Sequence, residues 1–218
     1  MKIKIPDVTL TAVDCTNRIN GTINALVEGS QNIDFGAVLL ISHEKPNNLP
    51  DFIQFKKCKK INNIDDFNYF MFLELGSYIQ TSYCLYIQDH AKILDYTLWN
   101  DEWLQYSYIG APWAIVPNAY MANDGTRSRV GNGGFSLRKS DVMNIPKENH
   151  WYLREEQGWK NEDGQINCYW KKEFLDLGVK YAPIEVAVHF SFETPMLENY
   201  NVKSFGYHRN LPPWGKYE

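Results

Sequence analysis

The chain has 218 residues, 44% hydrophobic and 22% charged, with a formal net charge of −4. That length supports one domain with a full core, the composition excludes a disordered chain, and no run of about 18 apolar residues offers a membrane span. Basic residues are scattered apart from Lys56-Lys57-Cys58-Lys59-Lys60, which excludes an electrostatic footprint for nucleic acid.

In chain order, Val8 to Cys15 alternates and is rich in β-branched residues, the signature of a strand. Ile19, Ile23, Leu26 and Val27 recur at helical spacing, and Gly29-Ser30 stops the helix. Phe35 to Ser42 is an apolar run of strand length, the kind buried on both faces of a parallel sheet. A loop with Pro46 and Pro50 follows, and the lysine run beyond it is expected to be solvated loop. Asp65 or Asp66 can cap a helix whose apolar face is Phe67, Phe70, Met71, Leu75, Tyr78 and Ile79. It feeds Tyr83 to Ile87, a bulky strand that runs straight into Gln88, Asp89 and His90. The first 90 residues therefore alternate strand and helix, an α/β pattern that gathers ligands at the carboxyl ends of parallel strands. An unpaired charge in a core is costly, so the polar trio is expected at a cleft.

Residues 96–218 are less regular. Tyr106 to Trp113 and Arg129 to Ser140 read as strands with glycines where another group approaches the backbone. Ile166, Trp170, Phe174 and Leu177 form a helical stripe ended by Gly178. Tyr181 to Glu193 reads as a further strand, and Tyr200 to Glu218 as an irregular tail. Cys15, Cys58, Cys84 and Cys168 are far apart with no Cys-x-x-Cys pair, so free thiols in a reducing compartment are expected. The first residues lack an apolar signal segment, which points to the cytoplasm.

Asp89 beside His90 at the end of a central strand suits a hard divalent cation carrying a phosphate-bearing ligand, although the same pair can cap a loop. Gly131-Asn132-Gly133-Gly134 is no dinucleotide fingerprint, because it lies past the middle and leads into Phe135-Ser136-Leu137-Arg138. A strand whose amides face a ligand fits it, as does a plain bulge. The absence of Gly-x-Ser-x-Gly and His-Glu-x-x-His removes the commonest hydrolase and metalloprotease readings. Glu162 and Asp163 precede the Ile166 helix, where acids complement the helix dipole or hold and deprotonate a hydroxyl. His208 and Trp214 lie in a proline-rich tail that either closes over a ligand or leaves His208 on the surface. With 7 Trp, 14 Tyr and 11 Phe, the chain is rich enough in aromatics to stack on sugar faces.

Taken in order, VTLTAVDC, YIQDHAKILDYTLW, YIGAPW, VGNGGFSLRKS, NEDGQINCYW, YAPIEVAVHFSFE and FGYH resemble the GT-A-type glycosyltransferases. The likeness is to small GT-A-like domains of bacteria and large DNA viruses, one of which glycosylates a viral capsid, and it runs from about Val8 to Trp214. It implies a single GT-A-like domain, a mixed and mostly parallel central sheet flanked by helices. A nucleotide-binding half of about residues 1–95 and an acceptor half of about 96–218 would make up that domain, which is compatible with fusion to further domains. The implied activity is transfer of a hexose or deoxyhexose from a nucleotide diphosphate sugar, UDP-linked, to a saccharide hydroxyl of a glycan or glycoprotein, with Mn²⁺ or Mg²⁺.

Under this resemblance Thr11, Val13 and Asp14 line the base and ribose, and Asn17 and Arg18 reach the ribose or phosphates. Gln88 and Asp89 occupy the Asp-x-Asp region that holds the metal against the diphosphate, and His208 is a late metal ligand. Gly133 and Gly134 face the donor sugar, and Glu162 and Asp163 the acceptor. Relatives often carry Gln-x-Asp-Gly where this chain has Gln88-Asp89-His90-Ala91, so Asp89 and His90 both stay open as the ligand. Asp163 as general base implies inversion, while comparable acids also serve retaining enzymes, so stereochemistry stays open. A noncatalytic carbohydrate-binding module is the rival from another class. A sugar nucleotidyltransferase is the second, and it lacks here an early glycine-rich phosphate loop.

Overall fold

The computed structural model describes residues 2–117, 119–155 and 160–210. Strands β1 (Ile3–Val13), β2 (Ile33–Ser42), β3 (Gln54–Lys57) and β4 (Tyr83–Ile87) are followed by the short β5 (Ala91–Ile93) and β6 (Tyr108–Gly110). Then come β7 (Phe135–Lys139), β8 (Ser191–Phe192) and β9 (Gly206–His208). Six of them form one sheet in the order β3-β2-β1-β4-β7-β6. The pairings among β1 to β4 are parallel, and β7 runs antiparallel to both of its neighbours. The result is a mixed α/β domain with a mostly parallel sheet.

The apolar runs are long because this sheet is covered on both faces. On one face α1 (Ile19–Gly29) buries Ile23 and Leu26 against Leu10, Leu40 and Leu85. On the other, α2 (Ile64–Tyr69) continues through a wide turn at Phe70–Glu74 and a tight one at Leu75–Tyr78, and buries Phe70, Met71 and Leu75 against Ile41 and Tyr86. A second apolar cluster joins α3 (Ser140–Glu148) to the run α4 (Glu162–Gly164), Gln165–Tyr169 and α5 (Lys171–Asp176), through Phe72, Val142, Ile166 and Phe174. Gly178, at φ +85°, takes the left-handed conformation that ends this run.

The small sheet, ordered β5-β9-β8, is the key to the site. It brings the end of the described chain back against the segment after β4 and sets His208 opposite Ala91.

Several elements differ from the sequence reading. Tyr181 to Glu193 is not a strand: α6 (Ile184–Phe190) takes most of it, leaving only Ser191–Phe192 extended. Ile184 to Phe190 fits period two, but it fits the helical period as well, with Ala187, Val188 and Phe190 buried and Glu185 and His189 exposed one turn apart. Part of the lysine run is the edge strand β3, where lysines guard an unpaired edge. The cap of α2 is Asn63, whose side chain accepts from Asp66 N at 2.8 Å, and Asp65 and Asp66 fill the first turn instead. Tail residues 206–208 form a strand rather than irregular chain, and Trp214 lies outside the described residues. Among the described residues, no helix is long and apolar enough to cross a membrane.

Candidate active site

β4 delivers Gln88 to the carboxyl edge of the sheet, where its N–H donates to Gly134 O at 3.1 Å. Pairing of β5 with β9 then packs two imidazoles together, ring centres 4.7 Å apart. Their Nε2 atoms lie 2.9 Å from each other, and His208 Nε2 is 3.0 Å from Gln88 Oε1. Each ring is anchored from behind by a carboxylate: Asp89 Oδ1 at 2.6 Å from His90 Nδ1, and Glu193 Oε1 at 2.9 Å from His208 Nδ1. A side chain on Gly134 would overlap the His208 ring, so this packing requires glycine.

The proton count at this pair is informative. With each Nδ1–H donated to its carboxylate, both Nε2 atoms and the Gln88 oxygen point lone pairs at one another, and lone pairs do not bond without a proton or a cation between them. Burial lowers the pKa of His90, Asp89 raises it and His208 lowers it again, so the added proton is disfavoured. Two ligand atoms at right angles on bonds of about 2.1 Å stand about 3.0 Å apart, which matches both separations. Two imidazoles and an amide oxygen suit a transition-metal cation better than Mg²⁺. Among the described residues no group of three or more His, Cys, Asp or Glu is arranged to hold a metal, so a cation here needs further oxygens from a ligand.

Asp89, one of the two residues left open as the ligand, is engaged with other partners. Its carboxylate turns to His90 and to Arg18 Nη1, 3.5 Å away, and it stays off the wall of the neighbouring cavity. The carboxylate–imidazole arrangement makes it the group that orients His90.

That cavity, of ≈ 300 Å³, is lined by Gln88, Gly133, Gly134, Glu162, Asp163, Glu193 and His208, with Trp113, Tyr120 and Tyr169 as its aromatic part. Trp113 and Tyr120 stack with centroids 4.4 Å apart. Beneath the floor lies Arg138, fully buried, whose guanidinium donates to Glu162 Oε1 at 2.9 Å, to Gly133 O at 3.2 Å and through Nε to Ser136 Oγ at 2.9 Å. Tyr86 and Tyr108 flank it, each ring centre 5.5 Å away.

The two neighbouring acids are thus unequal. Glu162 is buried and neutralised by Arg138. Asp163 is held by the amides of Gly164 at 2.8 Å and Gly133 at 3.3 Å. Burial and then the charge of Glu162 raise its pKa to about 7, against the lowering effect of those amides and of Arg138. A carboxylate near neutrality on a cavity wall is a competent proton acceptor.

The expected nucleotide residues sit differently. Thr11 is fully buried and Val13 nearly so, because β1 is flanked by β2 and β4 and covered on both faces, so neither side chain lines a ligand surface. Asp14 is also buried, and its oxygens accept from Thr16 N and Thr22 Oγ1, both at 2.6 Å, closing the turn into α1. Only Asn17 and Arg18 are exposed, and Arg18 joins this turn to Asp89.

Two contributors escaped the sequence reading. Arg138 was signalled by a charge directly after the apolar Leu137 of the strand Phe135–Lys139, and Glu193 by ending Phe190-Ser191-Phe192 in a carboxylate, as Asp89 follows Tyr86-Ile87-Gln88.

A family model described as a protein of unknown function, DUF5672, matches residues 51–208. The chain belongs to that family. The DUF5672 match takes in Gln88 to His90, the glycine stretch, Arg138, both acids and His208, and it starts beyond the β1–α1 turn. No curated protein matches the chain. Its fold is similar to that of LgtC, solved as an active-site mutant: TM-score 0.57 at 14% identity, over 92% of this chain and 86% of the other. A second LgtC structure, the galactosyltransferase with donor and acceptor sugar analogs, gives 0.56 at 15% identity over 94% and 89%. At such identities the likeness is one of fold, the GT-A type.

Proposed function

We propose that this chain is a glycosyltransferase that moves a hexose or deoxyhexose from a UDP-linked donor to a saccharide hydroxyl of a glycan or glycoprotein. The observation that carries the reading is the convergence, in one cavity, of Asp163 with its raised pKa, the Gly133–Gly134 backbone and His208, whose carboxylate-anchored ring meets that of His90. The GT-A-type fold supports it.

In this mechanism Asp163 accepts the proton of the acceptor hydroxyl as that oxygen attacks the anomeric carbon. Arg138 fixes Glu162 as its ion pair, and the Glu162 charge in turn raises the proton affinity of Asp163. Gly133 and Gly134 present backbone at the cavity wall facing the donor sugar, and their missing side chains make room for Glu162 and His208. His90, His208 and Gln88 would hold a divalent cation, Mn²⁺ in preference to Mg²⁺, with Asp89 and Glu193 orienting the two rings. Such a cation, when bound, neutralises the departing diphosphate. Arg18, exposed beside Asp89, meets the phosphates from the other side, and the Trp113–Tyr120 stack offers an apolar face to a sugar ring.

A noncatalytic sugar-binding module is disfavoured, since it has no use for a proton acceptor beside paired imidazoles. The test is a thermal-shift series with UDP, Mn²⁺ and both together, since a ligand that binds the native state raises Tm. The combination is expected to raise Tm beyond the sum of its parts. A response to free sugars with none to UDP in any metal would instead favour the binding module.

A further inference from the structure

Away from the cavity, the carboxyl edge of the sheet carries a pair of thiols. Cys15 lies in the turn after β1 and Cys58 just after β3, and their sulfurs stand 3.8 Å apart although 43 residues separate them. The strand between them in the sheet, β2, ends at Ser42, where Cys58 N donates to Ser42 O at 2.9 Å, so the two side chains meet across its end. Cys15 is half-buried and Cys58 buried, so the pair joins a partly exposed residue to a sheltered one. Cys84, inside β4, and Cys168, in the second apolar cluster, are both buried and serve as internal controls.

We propose that Cys15 and Cys58 form a redox-modification site, oxidised by a small disulfide such as oxidised glutathione to an intramolecular disulfide that ties the turn after β1 to the chain after β3. The Cys15 thiolate attacks one sulfur of the added disulfide and expels one glutathione thiolate, which takes up a proton. Cys58 then loses its proton, attacks the Cys15 sulfur and expels the second glutathione. Two protein thiols lose two electrons and two protons, and the added disulfide becomes two thiols. Attack starts at Cys15 because burial, and then the Cys15 charge, push the Cys58 thiol up to about 12. A disulfide bond is about 2.05 Å long, so the sulfurs must approach, drawing the turn of residues 14–18 and the chain after β3 toward each other. That turn holds Thr16 on Asp14 and carries Arg18 to Asp89, so oxidation re-sets the edge that the proposed function assigns to the donor phosphates.

The experiment treats the reduced, folded chain with oxidised glutathione, then counts thiols after denaturation and maps disulfides on unreduced peptides. The expected result is a Cys15–Cys58 cross-linked peptide, loss of two of the four thiols, intact Cys84 and Cys168, and full reversal by dithiothreitol. Cys58→Ser is expected to stop with glutathione on Cys15, and Cys15→Ser, at the less buried position, to leave every remaining thiol unreacted. Four surviving thiols, a stable glutathione adduct on Cys15 in the unmutated chain, or equal consumption of Cys84 would each overturn the proposal. Because this readout needs no substrate, its failure is distinct from failure of the glycosyl-transfer reading.

Discussion

Two polar regions meet at the carboxyl edge of this sheet, and they are built in opposite ways. In the β1–α1 turn the chemistry is closed: Asp14 is buried and spends its oxygens on Thr16 N and Thr22 Oγ1, while Thr16, Asn17 and Arg18 face solvent. At the cavity it is left open, with Asp163, whose pKa is raised to about 7, on the wall and His208 there facing the Nε2 of His90. The lesson is that a buried acid reports function only after its hydrogen bonds are counted. Asp14 and Glu162 are satisfied by their neighbours and hold structure, whereas Asp163 has protonation chemistry left over.

The comparison is most severely tested at the cavity floor. Arg138→Met leaves Glu162 buried without its partner and is expected to cost about 3–5 kcal/mol of stability, measured by urea unfolding. A loss below about 1 kcal/mol would mean that the pair is not held as described.

Next is the pH dependence of Asp163→Asn. The folded-state pKa of Asp163 lies above its ordinary value of 3.8, so the protonated acid's contribution is fully present below 3.8 and is lost as pH rises through about 7. Removing the group removes that loss. The difference in Tm, variant minus unmutated, is expected to grow between about pH 4 and pH 7, the span between the two pKa values. A flat difference contradicts the raised pKa.

In the closed region, Asp14→Ala removes the buried acceptor of Thr16 N and Thr22 Oγ1 and is expected to cost about 1–3 kcal/mol, seen as a lower Tm. The smallest effect is that of Arg18→Ala. An exposed ion pair is worth about 0–1 kcal/mol, so stability should hardly change while affinity for UDP falls. Unchanged affinity would remove this turn from the donor site.

Legibility followed the same divide between local and distant. Tyr83 to Ile87 declared itself as a buried strand with a polar end, and Gln88 did arrive at a cavity, because a continuous apolar run and its abrupt stop are local facts. The imidazole pair was not readable by spacing, since His90 and His208 are 118 residues apart and only the β5–β9 pairing joins them. The Arg138–Glu162 pair spans 24 residues and two elements, which hid the unequal standing of Glu162 and Asp163. Thr11 and Val13 were expected at the nucleotide through the family resemblance alone, but a strand covered on both faces turns every side chain into packing. The α6 segment was misread for the converse reason: seven residues satisfied two periods, and tertiary burial chose the helix.

The most direct measurement of the central claim is UDP release from a panel of UDP-hexoses and UDP-deoxyhexoses with Mn²⁺ and saccharide acceptors, comparing the unmutated chain with Asp163→Asn. The account predicts turnover with at least one donor that rises with acceptor concentration, and a loss of about 10²-fold or more in the variant while UDP binding persists. UDP release at equal rates in both chains would contradict it.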